Sequence, residues 1–335
     1  MGASSPGSTP VYRAVGIADP SLFTIDPDSR TAFLRGPKKG SSDACYVVSM
    51  PANFKAELVG CFGQPVAENP TGAMLEAAFR ALGLNWRYLT VEVSPERLRD
   101  ALSGMRAFGM KGINLTIPHK VAVLEHLDEI APDAAIIGAV NTVRRAGDRL
   151  IGENTDGKGF LRGVRTDAGV DPRNKRVVVL GAGGAARAIV TELALAGASD
   201  VLVLNRSLSR GEQMVGGLVS KTKAPIRFEP WRDTYKVAGD TEILVNATSI
   251  GLCPDVDSMP PVDLRGAQPG MLVCDVVFHP PETRLIRAAR QRGLPVLDGL
   301  SMLVYQGAIG FELWTGQKAP LAVMKEALRQ ALGVT

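Results

Sequence analysis

The chain has 335 residues, enough for two domains with a core each, and its 45% hydrophobic and 21% charged residues are the composition of a soluble globular protein. The net charge of +4 is too small to argue for nucleic acid, no basic cluster is interleaved with aromatics, and no apolar run reaches the roughly 18 residues of a membrane span. Cys45, Cys61, Cys253 and Cys274 have no metal or redox spacing, which predicts buried reduced thiols in a cytoplasmic protein, and the first residues lack the layout of a signal peptide.

Residues 1–54 are rich in Gly, Ser, Pro and Asp and read as an N-terminal extension, partly disordered, with Tyr12–Leu34 on the surface of the body. From there strands and helices alternate. Glu57–Phe62 is a short apolar strand. Ala73–Leu82 is a helix by its apolar spacing of three and four, and Arg87–Val93 alternates as a strand does. Ser94 as N-cap and Pro95 at the first position predict a helix to Phe108. Gly112–Ile117 is a strand, Lys120–Asp128 and Asp133–Ile137 are helical, and Val140–Arg144 with Arg149–Ile151 forms a hairpin. This alternation describes an α/β domain in its own right, ahead of the next motif.

That motif runs from Lys175 to Arg206. Val177–Leu180 is a valine-rich run suited to a strand buried on both faces. Gly181, Gly183 and Ala186 then fall on the G-x-G-x-x-G/A spacing, with a helix over Ala185–Ala196 and a second strand over Asp200–Leu204. The first glycine permits the tight turn, the second lets backbone approach a pyrophosphate, and the small third residue lets helix and strand pack closely. The amides at Gly184 and Ala185, where the helix opens, would face the phosphates. A dinucleotide with a free ribose 2′-hydroxyl usually meets an acid after the second strand. Here Asn205, Arg206 and, four positions on, Arg210 stand instead, which favours NADP over NAD. A helix over Arg210–Val219 follows, then strands at Ile226–Glu229, Ile243–Asn246, Leu272–Asp275 and Val296–Leu297. Helices at Leu300–Thr315 and Pro320–Leu332 are expected to pack back on the first domain. His119, His126 and His279 have no ligand spacing, so no metal is expected.

Two stretches ahead of the glycine motif collect polar residues beside chain breakers: NLTIPHK, with Asn114, Thr116 and Lys120, and ENTDG, with Asn154, Thr155 and Asp156. A lysine and a carboxylate in one cleft can do acid–base work, and residue types alone also fit a structural ion pair or two unrelated surface charges.

The chain resembles the shikimate dehydrogenase family over Glu57 to Lys318. GQPVAENPT, NLTIPHK, GAVNT, ENTDGKGF, VVVLGAGGAARA, LNRS, NATSIGL, DVVFHPPET and GLSMLVYQGAIGFELWTG match its motifs in order. The resemblance implies an α/β substrate domain (55–157, with helices from 306–335 packed on it) and a Rossmann-type doubly wound NADP domain (158–305) flanking a cleft. It implies reversible NADPH-dependent reduction of 3-dehydroshikimate, with Lys120 and Asp156 as the catalytic pair. Asn69, Thr71, Thr116, Asn141 and Gln306 are then the substrate-binding groups. Asn205, Arg206 and Ser207 correspond to the 2′-phosphate loop, Asn246, Ala247 and Thr248 to the segment near the nicotinamide, and Val277 and Gly299 to further cofactor contacts. The expected partners are small molecules alone, with the protein a monomer or homodimer.

Four positions depart from the family pattern. Asn69 and Thr71 stand where two serines usually hold the substrate carboxylate, Phe278 replaces a frequent tyrosine, and His119 a frequent aromatic. Asn69 can offer its amide oxygen to the extra hydroxyl of quinate, or it can turn away and cap the next helix. Quinate or another ring acid is thus an alternative substrate, and a non-catalytic ligand sensor the alternative class.

Overall fold

The computed structural model describes residues 53–334 and, ahead of them, the backbone of three strands. These are β1 (Phe23–Asp26), β2 (Thr31–Arg35) and β3 (Cys45–Ser49), an antiparallel sheet in the order β1-β2-β3 that sequence periodicity did not signal. The reading of MGASSPGSTP as a disordered tail lies outside the described residues, as does the Cys45 side chain.

The first large sheet begins with β4 (Glu57–Gly63), followed by α1 (Thr71–Ala81) and β5 (Trp86–Glu92). Ser94 makes no side-chain capping bond, and the segment after it starts as a 3-10 turn over Pro95–Arg97 before α2 (Leu98–Ala107). This corrects the single capped helix expected from Pro95. β6 (Gly112–Leu115) ends two residues short of expectation. The helix expected over Lys120–Asp128 divides into α3 (His119–Ala122) and a 3-10 turn. β7 (Glu129–Ile130), α4 (Pro132–Ile137), β8 (Thr142–Ala146) and β9 (Arg149–Glu153) complete the sheet, in the order β5-β4-β6-β8-β9-β7. β4 runs parallel to β5 and β6, and β6, β8 and β9 are antiparallel in turn.

α5 (Thr155–Thr166) leads into a second, all-parallel sheet. Its parts are β10 (Arg176–Leu180), α6 (Gly184–Leu195), β11 (Asp200–Asn205), α7 (Leu208–Val219) and β12 (Ile226–Pro230). After a short strand β13 (Tyr235–Lys236) come β14 (Ile243–Asn246), a second short strand β15 (Val262–Asp263), β16 (Leu272–Asp275), α8 (Arg284–Gln291) and β17 (Val296–Leu297). The order is β12-β11-β10-β14-β16-β17, that of a doubly wound dinucleotide-binding sheet, and the order reverses between β10 and β14. The alternation within β10 explains its unbroken valine run. Val177 and Val179 pack with Ile189 and Val190 of α6, while Val178 and Leu180 pack with Leu285 and Ala289 of α8.

The chain ends in α9 (Gly299–Thr315) and α10 (Leu321–Ala331). Val304, Phe311, Met324 and Leu328 share one cluster with Val59 and Cys61 of β4 and Met74 and Phe79 of α1. The terminal helices therefore cover one face of the first sheet, while α2 covers the other through Leu98, Leu102 and Met105. Cys61 and Cys274 are buried free thiols, but Cys253 is exposed, against the expectation from composition.

Candidate active site

Lys120 and Asp156 lie 36 positions apart in the chain and meet at 2.7 Å, Nζ to Oδ2. Each is aimed by a helix start. Lys120 follows the cis Ile117–Pro118 bond in the first turn of α3. Asp156 stands in the first turn of α5, which Asn154 caps by accepting from the N–H groups of Asp156 and Gly157. The Asn154 amide in turn donates to the Ala139 carbonyl at 3.0 Å, tying the cap to the loop before β8. Asn141 Nδ2 donates to Asp156 Oδ1 at 2.8 Å, so both carboxylate oxygens hold a charge-assisted hydrogen bond. The lysine side chain keeps 32% of its surface exposed and the aspartate 15%. The ammonium can thus reach solvent or a ligand while the carboxylate is held from behind.

The residues expected to bind substrate differ in how they are held. Thr116 sits at the end of β6, its N–H on the Phe62 carbonyl, and leads directly into the Lys120 turn. Gln306 of α9 lies against Gly159, one turn beyond Asp156 in α5; a β-carbon on that glycine would stand 2.6 Å from Gln306 N. Its amide donates back to the Leu303 carbonyl at 3.0 Å. Thr71 is buried at the first turn of α1. Asn69 spends its amide locally. Oδ1 accepts from Thr71 N at 3.0 Å, and Nδ2 donates to Cys61 Sγ at 3.4 Å. These bonds hold the amide at the start of α1, one residue ahead of the N-cap Pro70, and occupy one of the two lone pairs of its oxygen. Phe278 packs against the cluster formed by the first sheet and α9.

The second sheet offers the features of a dinucleotide site at its switch point. Gly181 has φ +109°, and a β-carbon there would stand 2.9 Å from the Ala247 carbonyl oxygen, so only glycine fits the turn. Gly183 and Gly184 have nothing within 4 Å of a β-carbon position, leaving the amides of the α6 start, Ala185 included, open to phosphate. Ala186 is buried in the strand–helix contact. Ser207 caps α7 by accepting from Arg210 N, and Asn205 donates to the Ser207 carbonyl at 2.9 Å. Arg206 and Arg210 are exposed, and among the described residues neither forms an ion pair. A cavity of about 420 Å³ is lined by Gly183, Gly184, Arg187 and Arg210 on one side and by Val121 and Gly138 on the other. Cations without acids beside open helix amides fit a phosphorylated dinucleotide.

Deeper in the crevice, Asn246 Nδ2 donates to Asp275 Oδ1 at 2.9 Å, and Thr248 bonds Asn246 Oδ1 through both its N–H and its hydroxyl. Ala247 N reaches the Leu180 carbonyl. Burial pushes the Asp275 carboxyl up to about 6, although Val277 N, Thr283 and Asn246 all donate to it. Gly299 lies so close to the Val277 carbonyl that no side chain fits, which joins those two positions. Sequence reasoning missed Arg187, whose position four residues after Gly183 in the first turn of α6 was the available signal.

Three family profiles match the chain: a shikimate dehydrogenase substrate binding domain over residues 61–143, a shikimate/quinate 5-dehydrogenase over 166–252, and a shikimate 5′-dehydrogenase C-terminal domain over 299–329. A shikimate dehydrogenase (NADP(+)) of Methanopyrus kandleri is 43% identical over 287 residues, 85% of this chain and 99% of that protein. Among solved structures, the ligand-free 5-ketofructose reductase of Gluconobacter sp. strain CHM43 is 45% identical, with TM-score 0.80, covering 83% of this chain and 99% of its own. A shikimate 5-dehydrogenase of Listeria monocytogenes in complex with shikimate and NAD is 32% identical, with TM-score 0.78, over 84% and 99%. With its Rossmann-type sheet, its mixed substrate-side sheet and matches across both, the chain belongs to the shikimate dehydrogenase family.

Proposed function

We propose that the protein is an NADPH-dependent carbonyl reductase that converts 3-dehydroshikimate to shikimate, reversibly, with Lys120 and Asp156 as the catalytic pair. The observation that carries this is the 2.7 Å contact of a partly exposed ammonium with a carboxylate anchored by Asn141. Bound NADPH supplies the hydride. The Lys120 ammonium stabilises the charge that builds on the carbonyl oxygen and gives that oxygen its proton, then recovers one through its exposed side. Asp156 holds the lysine in place and accepts from a substrate hydroxyl. Thr71, Thr116 and Gln306 orient the ring, and Asn141 holds the Asp156 carboxylate beside it. Residues 55–157 with the helices of 306–335 form the substrate half and 158–305 the cofactor half, in a cytoplasmic monomer or homodimer.

A second reading is favoured by the Asn69 geometry. The Asn69–Thr71 pair lacks one of the two hydroxyls that would face a carboxylate, and its amide is engaged with Thr71 N and Cys61. Together with 45% identity to a 5-ketofructose reductase, this supports a neutral polyhydroxylated ketone as substrate for the same Lys120–Asp156 chemistry. The test is NADPH oxidation with 3-dehydroshikimate and with 5-ketofructose, and NADP(+) reduction with shikimate and quinate, in wild type and Lys120→Ala. Turnover of 3-dehydroshikimate or shikimate that falls by orders of magnitude in Lys120→Ala, with NADPH affinity unchanged, supports the first reading, and such turnover of 5-ketofructose alone supports the second. Turnover of none, or activity indifferent to Lys120, overturns both and returns the pair to a structural ion pair or a sensor.

A further inference from the structure

Cys61 of β4, Asn114 of β6 and Thr142 of β8 occupy one rung of the first sheet, each the register partner of the next. Polar side chains in the middle of a sheet need partners, and these join a row that runs toward Asp156. Tyr88 of β5 donates its hydroxyl to Asn114 Oδ1 at 2.9 Å. Asn114 Nδ2 donates to Thr142 Oγ1 at 3.0 Å, and the Thr142 and Thr155 hydroxyls are 3.1 Å apart. Thr155 N–H donates to Asn141 Oδ1 at 2.7 Å, which settles which way that amide faces: Nδ2 turns to Asp156 Oδ1 and to Thr155 Oγ1.

One assignment of hydrogens satisfies the whole row. Thr142 accepts from Asn114 and donates to Thr155, and Thr155 donates to Asn141 Oδ1 at 3.2 Å. The Tyr88, Asn114, Thr142 and Thr155 side-chain donors then point along the row toward Asn141, whose Nδ2 donates onward to Asp156 Oδ1 and back to Thr155 Oγ1. Tyr88, Asn114, Asn141, Thr142 and Thr155 are all buried, so each dipole acts with little screening and polarises the next.

We propose that Tyr88, Asn114, Thr142 and Thr155 are positioning residues for the reduction, a buried relay that fixes the Asn141 amide and through it the orientation of the Asp156 carboxylate. The proposal deepens the Lys120–Asp156 assignment and rests on it. The far end of the row lies beside the substrate loop, since Cys61 neighbours Tyr88 and accepts from Asn69 Nδ2. Burial raises the Cys61 thiol to about 11 and raises the Tyr88 phenol too, so both remain neutral. The same groups are also part of the sheet core, and the experiment has to separate packing from hydrogen bonding.

Thr142→Val keeps the shape and removes the hydroxyl; Thr142→Ser removes a methyl and keeps the hydroxyl. A packing role makes serine the worse substitution, and the relay makes valine the worse. The expected result is kcat lowered about tenfold in Thr142→Val and in Tyr88→Phe, with Thr142→Ser near wild type and NADPH affinity the same in all. Tyr88→Phe carries the decision should the valine variant fail to fold. Tyr88→Phe with wild-type kcat, or Thr142→Ser as damaging as Thr142→Val, overturns the relay. A wild-type enzyme whose turnover ignores Lys120→Ala fails the catalytic assignment instead, and that control is run alongside.

Discussion

Gly157 of α5 sits directly against Glu192 of α6. A β-carbon at Gly157 would lie 2.6 Å from Glu192 Cγ and 2.5 Å from the Ala188 carbonyl oxygen. The second clash is with backbone, so relief requires moving one helix against the other. Gly157 follows Asp156 in sequence, and the displacement passes to the carboxylate. Gly157→Ala should destabilise the protein by about 1–3 kcal/mol and lower kcat more than it weakens cofactor binding. Denaturant titration and steady-state kinetics check both. An unchanged midpoint would mean that α5 and α6 have slack that the packing does not suggest.

Glu192 itself gives a pH prediction. Burial first, and then the nearby Asp133 carboxylate, push its carboxyl up to about 7, while Lys158 and Arg165 pull the other way. Its Oε1 has no hydrogen-bond partner among the described residues. A carboxyl whose folded value is raised stabilises the fold most below its unfolded value of 4.5, and that stability is lost as pH rises through about 7. Glu192→Gln removes the ionisation. It should match wild type near pH 4.5 and exceed it by about 1–3 kcal/mol at pH 8. Thermal melts of the two proteins across that range are the check, and parallel curves would refute the assignment.

Much of the fold is legible in the sequence because most strands of the second sheet are covered on both faces. Such strands appear as apolar runs, and Ile243–Asn246 and Leu272–Asp275 are found at the bounds their composition suggests. α5 was not legible. Gly157, Gly159 and Gly163 give its twelve residues poor helix propensity, and the helix forms because those glycines admit α6 and α9. The Asn154 cap, with Phe160 and Val164 four apart and buried, was the signal that could have found it. At the site, residue types pointed to Lys120 and Asp156 separately, but no periodicity brings together groups 36 residues apart; only the motif resemblance paired them. The direction of an amide is harder still. Whether Asn69 faces a ligand or Thr71 N depends on one backbone N–H and one thiol.

Arg206 and Arg210 give a cofactor prediction. Both are exposed, Ser207 between them caps α7, and among the described residues no carboxylate neutralises either. A 2′-phosphate there gains charge-assisted contacts that a 2′-hydroxyl cannot make. Arg206→Ala should weaken NADPH about tenfold while leaving NADH nearly unaffected, and the wild-type preference for NADPH should shrink as salt rises. Fluorescence titration with each cofactor reads this directly. Equal wild-type affinities for the two would remove the role of these arginines.

Asn69→Ser tests the substrate. In the folded protein the Asn69 amide oxygen accepts from Thr71 N and its nitrogen donates to Cys61, so the side chain is held at the start of α1. Serine is shorter and keeps a hydroxyl oxygen able to accept from Thr71 N, so the loss of stability should stay within about 1 kcal/mol. The substitution also opens space beside Thr71 and restores a pair of hydroxyls at the two positions. Two donors spaced one residue apart suit a carboxylate, whereas a neutral ketose gains nothing from the second. The expected outcome is therefore a rise in kcat/KM for shikimate and a fall in the ratio of 5-ketofructose to shikimate turnover. Both follow from the same change in donors, and both are measured against wild type in one assay series. If neither value moves, Asn69 only holds the chain ahead of α1, without influence on the substrate, and specificity must be sought at Phe278 or His119 instead.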